Sequence, residues 1–387
     1  MKNEIITEGS LAPLNFKILI NAANLHIGGG VQVASSFISE LSKLLKPQIK
    51  SYHISVLCSE KVYQNLPLDF DKSVFTQFDI LNIYGLSQPS VQVKDKFSDF
   101  DVCFTVFGPL YFTPKVKKHI CGFAQAWIAY PTNIAYQKLP FKEWLKNKIK
   151  FKIQSLFFRR YDHLVVEQLH VKEALGEIGY AAKNISVASN CVSAIYDDKN
   201  QWLPVDFDSS KFTNDIVLGF IGRPYSHKNI MILNQVNEIL VSKFQMHCDF
   251  IFTFTETEMQ QCDFAEKSNF YSVGEISGTQ CPAFYDLLDA LVFPSLLECF
   301  SASPIEAMKM NTTVIASDYP FVKEVCGDAA FYFDPLNADE IAIAIFNAFS
   351  NNKLREEKKR LGSQLVSALP TAKDRAISYL NIIKRSL

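Results

Sequence analysis

The segment at residues 293–318, FPSLLECFSASPIEAMKMNTTVIASD, constrains the fold more than any other part of the chain. The apolar run that ends at Pro294 predicts a buried β-strand, and Pro304 is predicted to open a helix that carries Glu306 in its first turn. The loop between this strand and this helix holds Glu298. A strand, a short loop and a helix in this order predict one βα unit of a parallel α/β sheet.

Two glutamates, Glu298 and Glu306, flank this predicted helix start with seven residues between them. The N–H groups at a helix start together carry roughly half a positive charge and can bind an anion such as a diphosphate. The glutamates would then accept hydrogen bonds from hydroxyl-rich rings on both sides of that anion. The spacing therefore suits a nucleotide-sugar site, with backbone donors predicted at Phe300, Ser301, Ala302 and Ser303.

A second block, IVLGFIGRPYSHKN at residues 216–229, places two cations after another predicted strand. The apolar run ends at Gly222, Arg223 follows it directly, and Lys228 lies a few residues further on. Open α/β sheets bind ligands outside the carboxyl ends of their strands, so both cations are predicted to reach one crevice. A guanidinium fork and a compact ammonium can together neutralise a leaving diphosphate without a metal ion.

Together these blocks resemble the signature of the retaining GT-B glycosyltransferases of the glycogen-synthase-like, family-four type. The resemblance covers residues 216–335 and departs from the family pattern at Ser301, where that pattern has glycine. It implies that Glu298 contacts the donor sugar and Glu306 the nucleotide ribose, and that Arg223 and Lys228 act on the diphosphate. It also implies donor-binding positions at Gly222, Gly274 and Glu275.

The fold implied by the resemblance is α/β GT-B, with two Rossmann-like domains that face each other across a cleft. A chain of 387 residues is long enough for two domains with separate cores. We expect an N-terminal acceptor-side domain at 1–205 and a C-terminal nucleotide-sugar-binding domain at 206–370. The polar stretch 204–208 is the predicted linker, and residues 371–387 are expected to pack back onto the first domain.

Near the N-terminus, a strand pattern at 16–23, a glycine loop and a helix pattern at 31–44 open a Rossmann-like unit. The ordered G-x-G-x-x-G fingerprint is missing, which gives no support for a dinucleotide cofactor. The resemblance places Gly29 and Gly30 beside the donor phosphates and acceptor. A tight turn that needs a positive φ explains these glycines equally well.

The acceptor side is less well defined. Many relatives carry a histidine after the fourth strand of the first domain, whereas this chain reads Phe-Ala-Gln-Ala-Trp at 123–127. Gln125 or Trp127 is the candidate to take the place of that histidine. His26, in the glycine loop, is the third acceptor-side candidate.

Composition excludes several classes of function. The chain is 48% hydrophobic with a formal net charge of −1, which gives no support for nucleic-acid binding. Its nine cysteines include no C-x-x-C pair and its histidines lack ligand spacing, so neither zinc nor another metal is expected. No cofactor is expected either, since the nucleotide-sugar is a substrate. No signal-peptide pattern opens the chain and no apolar run is long enough to cross a membrane, so a cytoplasmic location is expected.

One segment, residues 138–160, is strongly basic, with a single acid at Glu143. Its apolar residues recur near helical spacing and predict a basic amphipathic helix. Such a helix either lies in an anionic membrane surface or is a domain helix with solvated lysines. The resemblance favours the first, as peripheral attachment at the inner face, because many members of that family act on lipid-linked acceptors there. The apolar residues are Phe141, Leu145, Ile149, Ile153, Leu156 and Phe157, and the cations are Lys138, Lys142, Lys146, Lys148, Lys150, Lys152, Arg159 and Arg160.

The expected activity is transfer of a sugar from a nucleotide-sugar to an acceptor hydroxyl with retention, in bacterial-type surface polysaccharide or lipid-linked glycan assembly. One alternative is a catalytically silent GT-B binding module, motivated by Ser301 and the missing histidine. Another is a glycoside hydrolase that uses Glu298 and Glu306 as its carboxylate pair. Three Asp-Phe-Asp triplets, at 69–71, 99–101 and 206–208, suggest a metal-dependent GT-A transferase as a further alternative. Against it, the triplets precede strands or lie in the predicted linker.

Overall fold

The computed structural model describes residues 14–46, 52–67, 70–86 and 88–387. The chain divides into two compact units. The first, here the N-terminal domain, comprises residues 1–130, 145–191 and 370–387. The second, the C-terminal domain, comprises residues 131–144 and 192–369.

The N-terminal domain is built on seven strands, which are β1 (Leu14–Ala22), β2 (Tyr52–Cys58), β3 (Gln77–Ile80), β4 (Phe100–Thr105), β5 (Val116–Gly122), β6 (His163–Val166) and β7 (Ile185–Val187). They pair in parallel in the order β3-β2-β1-β4-β5-β6-β7. Alternate residues of β1 enter different cores, since Ile18 and Ile20 pack on one face of the sheet and Leu19 on the other. Both faces are covered, which explains why the strand sequences are apolar throughout.

The C-terminal domain has six strands, which are β8 (Val217–Phe220), β9 (Asp249–Phe252), β10 (Phe270–Ser272), β11 (Ala290–Phe293), β12 (Thr313–Ser317) and β13 (Ala330–Phe333). They are parallel and ordered β10-β9-β8-β11-β12-β13. Every residue of β8, β9, β11 and β12 is buried. Each domain is therefore a parallel α/β layer structure, as the GT-B expectation requires.

Helices cover the faces of both sheets. In chain order the described residues form α1 (Gly29–Leu45), α2 (Glu60–Gln64), α3 (Val91–Asp95), α4 (Ala126–Ala129), α5 (Phe141–Phe158), α6 (Leu169–Glu177), α7 (Leu233–Phe244), α8 (Glu256–Gln261), α9 (Cys281–Tyr285), α10 (Ala302–Lys309), α11 (Pro320–Cys326), α12 (Ala338–Ser350), α13 (Asn352–Ala368) and α14 (Ala372–Arg385). Within the described residues, no helix is both long enough and apolar enough to cross a membrane.

The last helix, α14, belongs to the N-terminal domain. A capping box between Thr371 and Asp374 starts it. The Tyr379 ring then packs edge-on against Phe37 of α1, with ring centroids 5.0 Å apart. Arg375 donates from Nη2 to Ser36 Oγ at 2.9 Å, also on α1. These contacts are local to the N-terminal domain and hold residues 370–387 there.

The strand order of each sheet reverses direction once, and this fixes where side chains from different loops can meet. In the N-terminal domain the chain runs from β1 outward to β3 and then returns to β4 on the other side of β1. In the C-terminal domain it runs from β8 outward to β10 and returns to β11 beside β8. Loops that leave the carboxyl ends of two such neighbouring strands diverge and leave a crevice, where α/β proteins bind ligands.

The domain division differs from the expected boundary at 205, because it falls between residues 191 and 192. Residues 204–208 are packed on the C-terminal domain. Phe207 contacts Phe212 and Tyr271 with ring centroids 5.0 and 5.7 Å apart, and Leu203 N–H donates to Thr279 O at 3.0 Å. The polar residues that suggested a linker thus flank Phe207, whose ring anchors the stretch to the C-terminal domain.

Candidate active site

The loop after β8 is shaped by a glycine. Gly222 has φ of 133°, a backbone conformation that L side chains rarely adopt. Its N–H donates to Thr253 Oγ1 at 3.0 Å, and the Thr253 hydroxyl donates back to Gly222 O at 3.2 Å. This reciprocal pair ties the end of β8 to the end of β9. Arg223 is thereby fixed at the carboxyl edge of the sheet.

Arg223 is held by oxygens from two neighbouring loops. Its guanidinium lies 2.9 Å from Glu258 Oε2, forms a second ion pair with Glu275, and donates to Thr253 O. Glu258 also accepts from Thr255 N–H at 2.9 Å, because both residues form the capping box of α8. Sequence reasoning missed Glu258, although Thr255-x-x-Glu258 is a capping-box pattern that predicts a fixed carboxylate at that helix start.

Lys228 and Glu298, predicted from separate blocks of sequence, meet in the C-terminal domain. Lys228 Nζ forms an ion pair with Glu298 Oε1, and the two side chains are only 15% and 12% exposed. The pairing follows from the sheet, since β8 and β11 are hydrogen-bonded neighbours and their loops leave from the same edge. Leu296 N–H donates to His227 O at 2.7 Å, which joins the two loops directly.

His227, next to Lys228, is a site residue that sequence reasoning did not single out. The pKa of its imidazole is lowered to about 4, chiefly by burial, with the Glu298 carboxylate opposing the shift and the Lys228 ammonium adding to it. The ring is therefore neutral at neutral pH and adds no charge to the Lys228–Glu298 pair. Its backbone carbonyl accepts from Leu296 N–H and so joins the two loops.

The helix that carries Glu306 begins earlier than predicted. Helix α10 starts at Ala302 with Ser301 as its N-cap, so Glu306 lies in the second turn and Pro304 in the first. The prediction that Pro304 opens the helix was wrong, because the missing N–H of proline is tolerated anywhere in the first turn, where N–H groups have no intrahelical partner. Ala302 and Ser303 carry such N–H groups, whereas Phe300 and Ser301 precede the helix.

Ser301 stands where the family pattern has glycine, and the backbone accommodates it. Its φ of −130° and ψ of 129° are ordinary extended values. The side chain is buried. A glycine is not required here for conformational reasons, so the substitution does not distort the start of α10.

Glu306 is fixed by a tyrosine. The Tyr285 hydroxyl lies 3.1 Å from both Glu306 Oε2 and Ser303 O, so its single proton is shared between the carboxylate and the Ser303 carbonyl. Burial raises the pKa of Glu306, and the Tyr285 hydroxyl opposes that shift. The side chain is held beside the first turn of α10, at the same edge of the sheet as Glu298.

The loop after β10 supplies the remaining predicted donor residues. Gly274 has φ of 73°, which favours glycine, and its N–H donates to Ser272 Oγ at 3.0 Å. Glu275 follows and reaches Arg223. The structure thus brings Gly222, Arg223, Gly274 and Glu275 together at one group of contacts, and Lys228 with Glu298 at another.

The N-terminal domain contains a cavity of about 310 Å³ at its own strand reversal. Loops after β1 and β4 form much of its wall, including His26 and Gly108. His26 Nε2 lies 2.8 Å from Ile83 O, and the imidazole stacks on Tyr84 with ring centroids 4.1 Å apart. Gln125 lines the same cavity, whereas Trp127 is not among the described lining residues and stacks on Phe151 at 5.7 Å.

In the glycine loop next to this cavity, the structure shows which glycine needs a positive φ. Gly28 is the residue with positive φ, at 70°, and it is the N-cap of α1. Gly29 and Gly30 are the first residues of that helix. The tight-turn explanation therefore applies to Gly28, and the proposed phosphate contact of Gly29 and Gly30 stays a prediction.

Aspartates of the Asp-Phe-Asp triplets cap short turns or form an ion pair. Asp71 and Asp208 each cap a short 3-10 turn, and Asp101 pairs with Lys117. Asp69 lies outside the described residues. Across the described residues, no group of three or more histidine, cysteine, aspartate or glutamate side chains is placed to hold a metal ion.

Comparisons with known proteins concern the family and the fold. Residues 205–364 match the sequence profile of the family described as "Glycosyl transferases group 1". Over 208 residues the chain is 29% identical to the O-antigen chain mannosyltransferase RfbU of Salmonella typhimurium, a region that is 53% of either protein. The chain therefore spans about half the length of this curated relative in the alignment.

Solved structures share the whole fold at low identity. A glycosyltransferase from Rickettsia africae superposes with a TM-score of 0.65 and 17% identity, covering 96% of this chain and 99% of that one. Anabaena Alr3699/HepE, crystallised with UDP and glucose, gives a TM-score of 0.61 and 14% identity over 96% of this chain and 100% of that one.

The two parallel sheets and these structural neighbours place the chain in the GT-B fold class. Within that class, the part of the chain that matches the group 1 glycosyltransferase family lies in the C-terminal domain.

Proposed function

We propose that this protein transfers a hexose from a nucleoside-diphosphate sugar to an acceptor hydroxyl, with retention of the anomeric configuration and without a metal ion. The observation that carries the proposal is the cluster at the strand reversal of the C-terminal domain. There Lys228 pairs with Glu298, Arg223 follows the same strand β8 and pairs with Glu275, and helix α10 begins at Ala302. The residues lie inside the region that matches the group 1 family.

The chemistry follows from what each group can stabilise. Departure of a nucleoside diphosphate from a sugar leaves an oxocarbenium-like centre and places negative charge on the leaving oxygen. Lys228 and Arg223 supply positive charge for that oxygen, and the N–H groups of Ala302 and Ser303 add hydrogen-bond donors. Both cations are already paired with carboxylates, so donor binding exchanges Glu275 and Glu298 for phosphate and sugar oxygens. Glu298 is then available to a sugar hydroxyl.

Retention is part of the proposal because the leaving phosphate oxygen can take the acceptor proton on the face from which it departs. The bond from the anomeric carbon to the diphosphate oxygen breaks, and the bond to the acceptor oxygen forms on the same side. The proton of the acceptor hydroxyl moves to the diphosphate. No protein base is required for this step.

The N-terminal cavity is the proposed acceptor site, with His26 and Gln125 in its wall. Among the described residues that line it there is no aspartate, glutamate, lysine or arginine. Amide, phenol and imidazole groups suit hydroxyl groups, which both donate and accept hydrogen bonds. We therefore assign the acceptor as a neutral glycan end rather than a sugar phosphate.

Mannose is the proposed sugar, on the strength of the similarity to the O-antigen chain mannosyltransferase RfbU. That relative also supports a place in bacterial surface polysaccharide assembly. Attachment to the inner membrane surface belongs to the same proposal, because a lipid-linked glycan acceptor would be found there.

A thermal-shift screen with GDP-mannose, UDP-glucose and the free nucleotides tests donor binding, since a ligand of the folded state raises the unfolding midpoint. Incubation of the stabilising donor with a neutral oligosaccharide then tests transfer, and NMR of the product gives the anomeric configuration. Transfer that survives EDTA supports the metal-free mechanism. Donor binding without sugar release would establish the silent binding module, and an inverted product would refute retention.

A further inference from the structure

The cavity of the N-terminal domain contains a buried glutamine whose hydrogen bonding is half complete. Gln154 of α5 lines this cavity and is 8% exposed. Its Nε2 donates to the Tyr111 hydroxyl at 2.8 Å, whereas its Oε1 is buried and has no hydrogen-bond donor among the described residues. A glutamine kept for the fold alone would have both ends of its amide bonded, as most buried polar groups do. The unpaired oxygen therefore indicates a role beyond the fold.

The tyrosine bonded to Gln154 keeps its own proton for a ligand. The Tyr111 oxygen accepts from the amide of Gln154, so its O–H group is left to donate elsewhere. Tyr111 lines the same cavity, and its ring packs edge-on against Phe157 with ring centroids 5.0 Å apart. That contact fixes the position of the phenol. The two side chains together offer a ligand one acceptor and one donor.

His26 presents a second acceptor to the cavity. Its Nε2 lies 2.8 Å from Ile83 O, and a carbonyl oxygen only accepts, so Nε2 carries the hydrogen. In the neutral imidazole Nδ1 then has a free lone pair and no hydrogen. Stacking on Tyr84, with ring centroids 4.1 Å apart and 17° between the planes, holds the ring in this orientation.

The other polar side chains of the wall do not meet these acceptors. Asn24 donates from Nδ2 to Phe107 O at 2.8 Å and accepts from Asn21 Nδ2 at 3.3 Å, so both ends of its amide are used. Two acceptors without donors favour a ligand that donates twice. A hydroxyl group donates as well as accepts, whereas a phosphate or carboxylate only accepts and would leave both protein acceptors unpaired.

We infer that Gln154 Oε1 and His26 Nδ1 determine acceptor specificity by each accepting a hydrogen bond from a different hydroxyl group of the acceptor glycan. Tyr111 donates to the hydroxyl that Gln154 binds. The inference rests on the proposed function, which takes this cavity as the acceptor site. The last torsion of a glutamine is soft, so its amide turns toward a ligand at small cost. Neither residue receives the reacting proton, which the leaving diphosphate takes.

The test measures binding of simple glycosides to the full-length protein and needs no transfer. Ligand-observed NMR titrations with methyl α-mannoside, methyl α-galactoside and methyl β-glucoside identify the one that binds best. Monodeoxy analogues of that glycoside then remove its hydroxyl groups one at a time. Wild type is expected to lose about tenfold or more in affinity for two of the analogues and little for the others, since each of the two losses leaves a buried acceptor unpaired.

Gln154→Met assigns the first of these hydroxyl groups. Methionine has a similar length and neither end of the amide, so this variant should bind the parent glycoside about tenfold more weakly and no longer distinguish it from one of the two analogues. Its unfolding midpoint without ligand should change little, because the oxygen that it loses had no partner among the described residues. Gln92→Met, an exposed change on α3, is the control and should keep the discrimination of wild type.

Two changes at His26 assign the second hydroxyl group. In His26→Gln the amide nitrogen can still donate to Ile83 O, but no atom takes the place of Nδ1, so discrimination against the second analogue should be lost. In His26→Asn the amide oxygen lies close to the former Nδ1 and should restore much of it. His53→Gln, an exposed change on β2, is the control and should behave as wild type.

Three results would overturn the inference. They are equal affinity of wild type for the parent glycoside and all its analogues, no binding of any glycoside, and full discrimination in Gln154→Met and His26→Gln. The proposed function is reported separately by sugar transfer. Discriminating glycoside binding without transfer from any donor would refute that function and leave the binding of hydroxyl groups by this cavity intact. Transfer that ignores the removed hydroxyl groups would do the reverse.

Discussion

Lys228 and Glu298 come from two loops that are far apart in sequence, and they form an ion pair at the carboxyl edge of the C-terminal sheet. Neither side chain is more than 15% exposed, so each neutralises the other in a place that water reaches poorly. The Lys228 ammonium also lies 5.4 Å from the centre of the Phe293 ring, at the end of β11. The two residues therefore act as one unit.

Replacing either member of this pair is expected to harm both stability and activity. Lys228→Ala leaves a partly buried carboxylate without its partner, which should cost about 1–3 kcal/mol of unfolding free energy. It also removes a charge that stabilises the leaving diphosphate, so turnover should fall by about 10²–10³. Urea unfolding and a donor-turnover assay measure the two effects.

Glu298→Gln supplies the comparison for this prediction. It should reduce sugar transfer strongly without weakening nucleoside-diphosphate binding, because the nucleotide does not contact Glu298 in the proposed complex and Lys228 no longer has to leave a carboxylate. The double variant Lys228→Ala/Glu298→Gln should lose less unfolding free energy than the two single variants lose together, since neither charge is then left unpaired. Simple additivity of the two stability losses would show that the ion pair carries no energetic coupling.

Glu275 competes with the donor for Arg223, which leads to a prediction of tighter binding. Its side chain is 71% exposed, whereas Arg223 is 24% exposed. Glu275→Gln removes one carboxylate from the guanidinium and should strengthen binding of a nucleoside diphosphate about two- to fivefold, the scale of an exposed ion pair. Calorimetry at low and high salt measures the gain, which should shrink as salt screens the charges.

Glu256→Gln is the matched control, because Glu256 is an exposed glutamate in the first turn of α8 and Arg223 pairs with Glu258 instead. Its nucleotide affinity should equal that of wild type. Weaker nucleotide binding in Glu275→Gln would mean that Glu275 is itself a donor ligand, as the family resemblance implies. It would refute the hypothesis that Glu275 competes with the donor for Arg223.

Glu306 should matter for nucleotide binding more than for stability. Glu306→Ala removes a charged hydrogen-bond acceptor, a loss of about 1.5–3 kcal/mol, or roughly 10- to 100-fold in affinity for a nucleoside diphosphate. Tyr285→Phe should produce a smaller loss, because it removes the hydroxyl that orients the Glu306 carboxylate. Calorimetry on folded variants checks both, and unchanged affinity in Glu306→Ala would place Glu306 outside the nucleotide site.

The sequence was most informative where strands are buried on both faces. The strand predicted directly before Pro294 is observed as Ala290–Phe293, because four apolar residues followed by proline leave little choice of boundary. The residues that meet across the C-terminal crevice were also predictable, since they lie directly after strands of a parallel sheet. The parallel α/β architecture followed from the same patterns, whereas the GT-B class was implied by the family resemblance.

The sequence was least informative about contacts that depend on three-dimensional register. The pairing of Arg223 with Glu258 joins loops from different strands, and no local pattern indicates which carboxylate a guanidinium will choose. The start of α10 was misplaced because proline is compatible with several positions in a first turn. Periodicity also could not show which face of α5 packs inward, since both faces are apolar.

A buried carboxylate in the N-terminal domain, Glu167, predicts an unusual dependence of stability on pH. Burial raises its pKa from 4.5 to about 7, with Arg375 and the Asn190 side chain opposing the shift. Asn190 Nδ2 donates to Glu167 Oε1 at 2.7 Å, and Arg375 of α14 donates to Asn190 Oδ1. Cys191 and Tyr379 are the other titratable groups coupled to this site.

Because its folded-state pKa is raised, Glu167 stabilises the fold below pH 4.5, and that contribution is lost as the pH rises to about 7. The loss amounts to about 3 kcal/mol, since the unfolded chain ionises first. Glu167→Gln keeps an oxygen for the Asn190 amide and cannot ionise, so its stability relative to wild type should rise between pH 5 and 7 and then level off. Hydrogen exchange of the α14 amides at several pH values measures this difference for the N-terminal domain.

Glu177→Gln, an exposed change on α6, is the control and should give a curve of stability against pH that is parallel to wild type. A constant difference between Glu167→Gln and wild type at all pH values would show that Glu167 ionises normally in the folded protein.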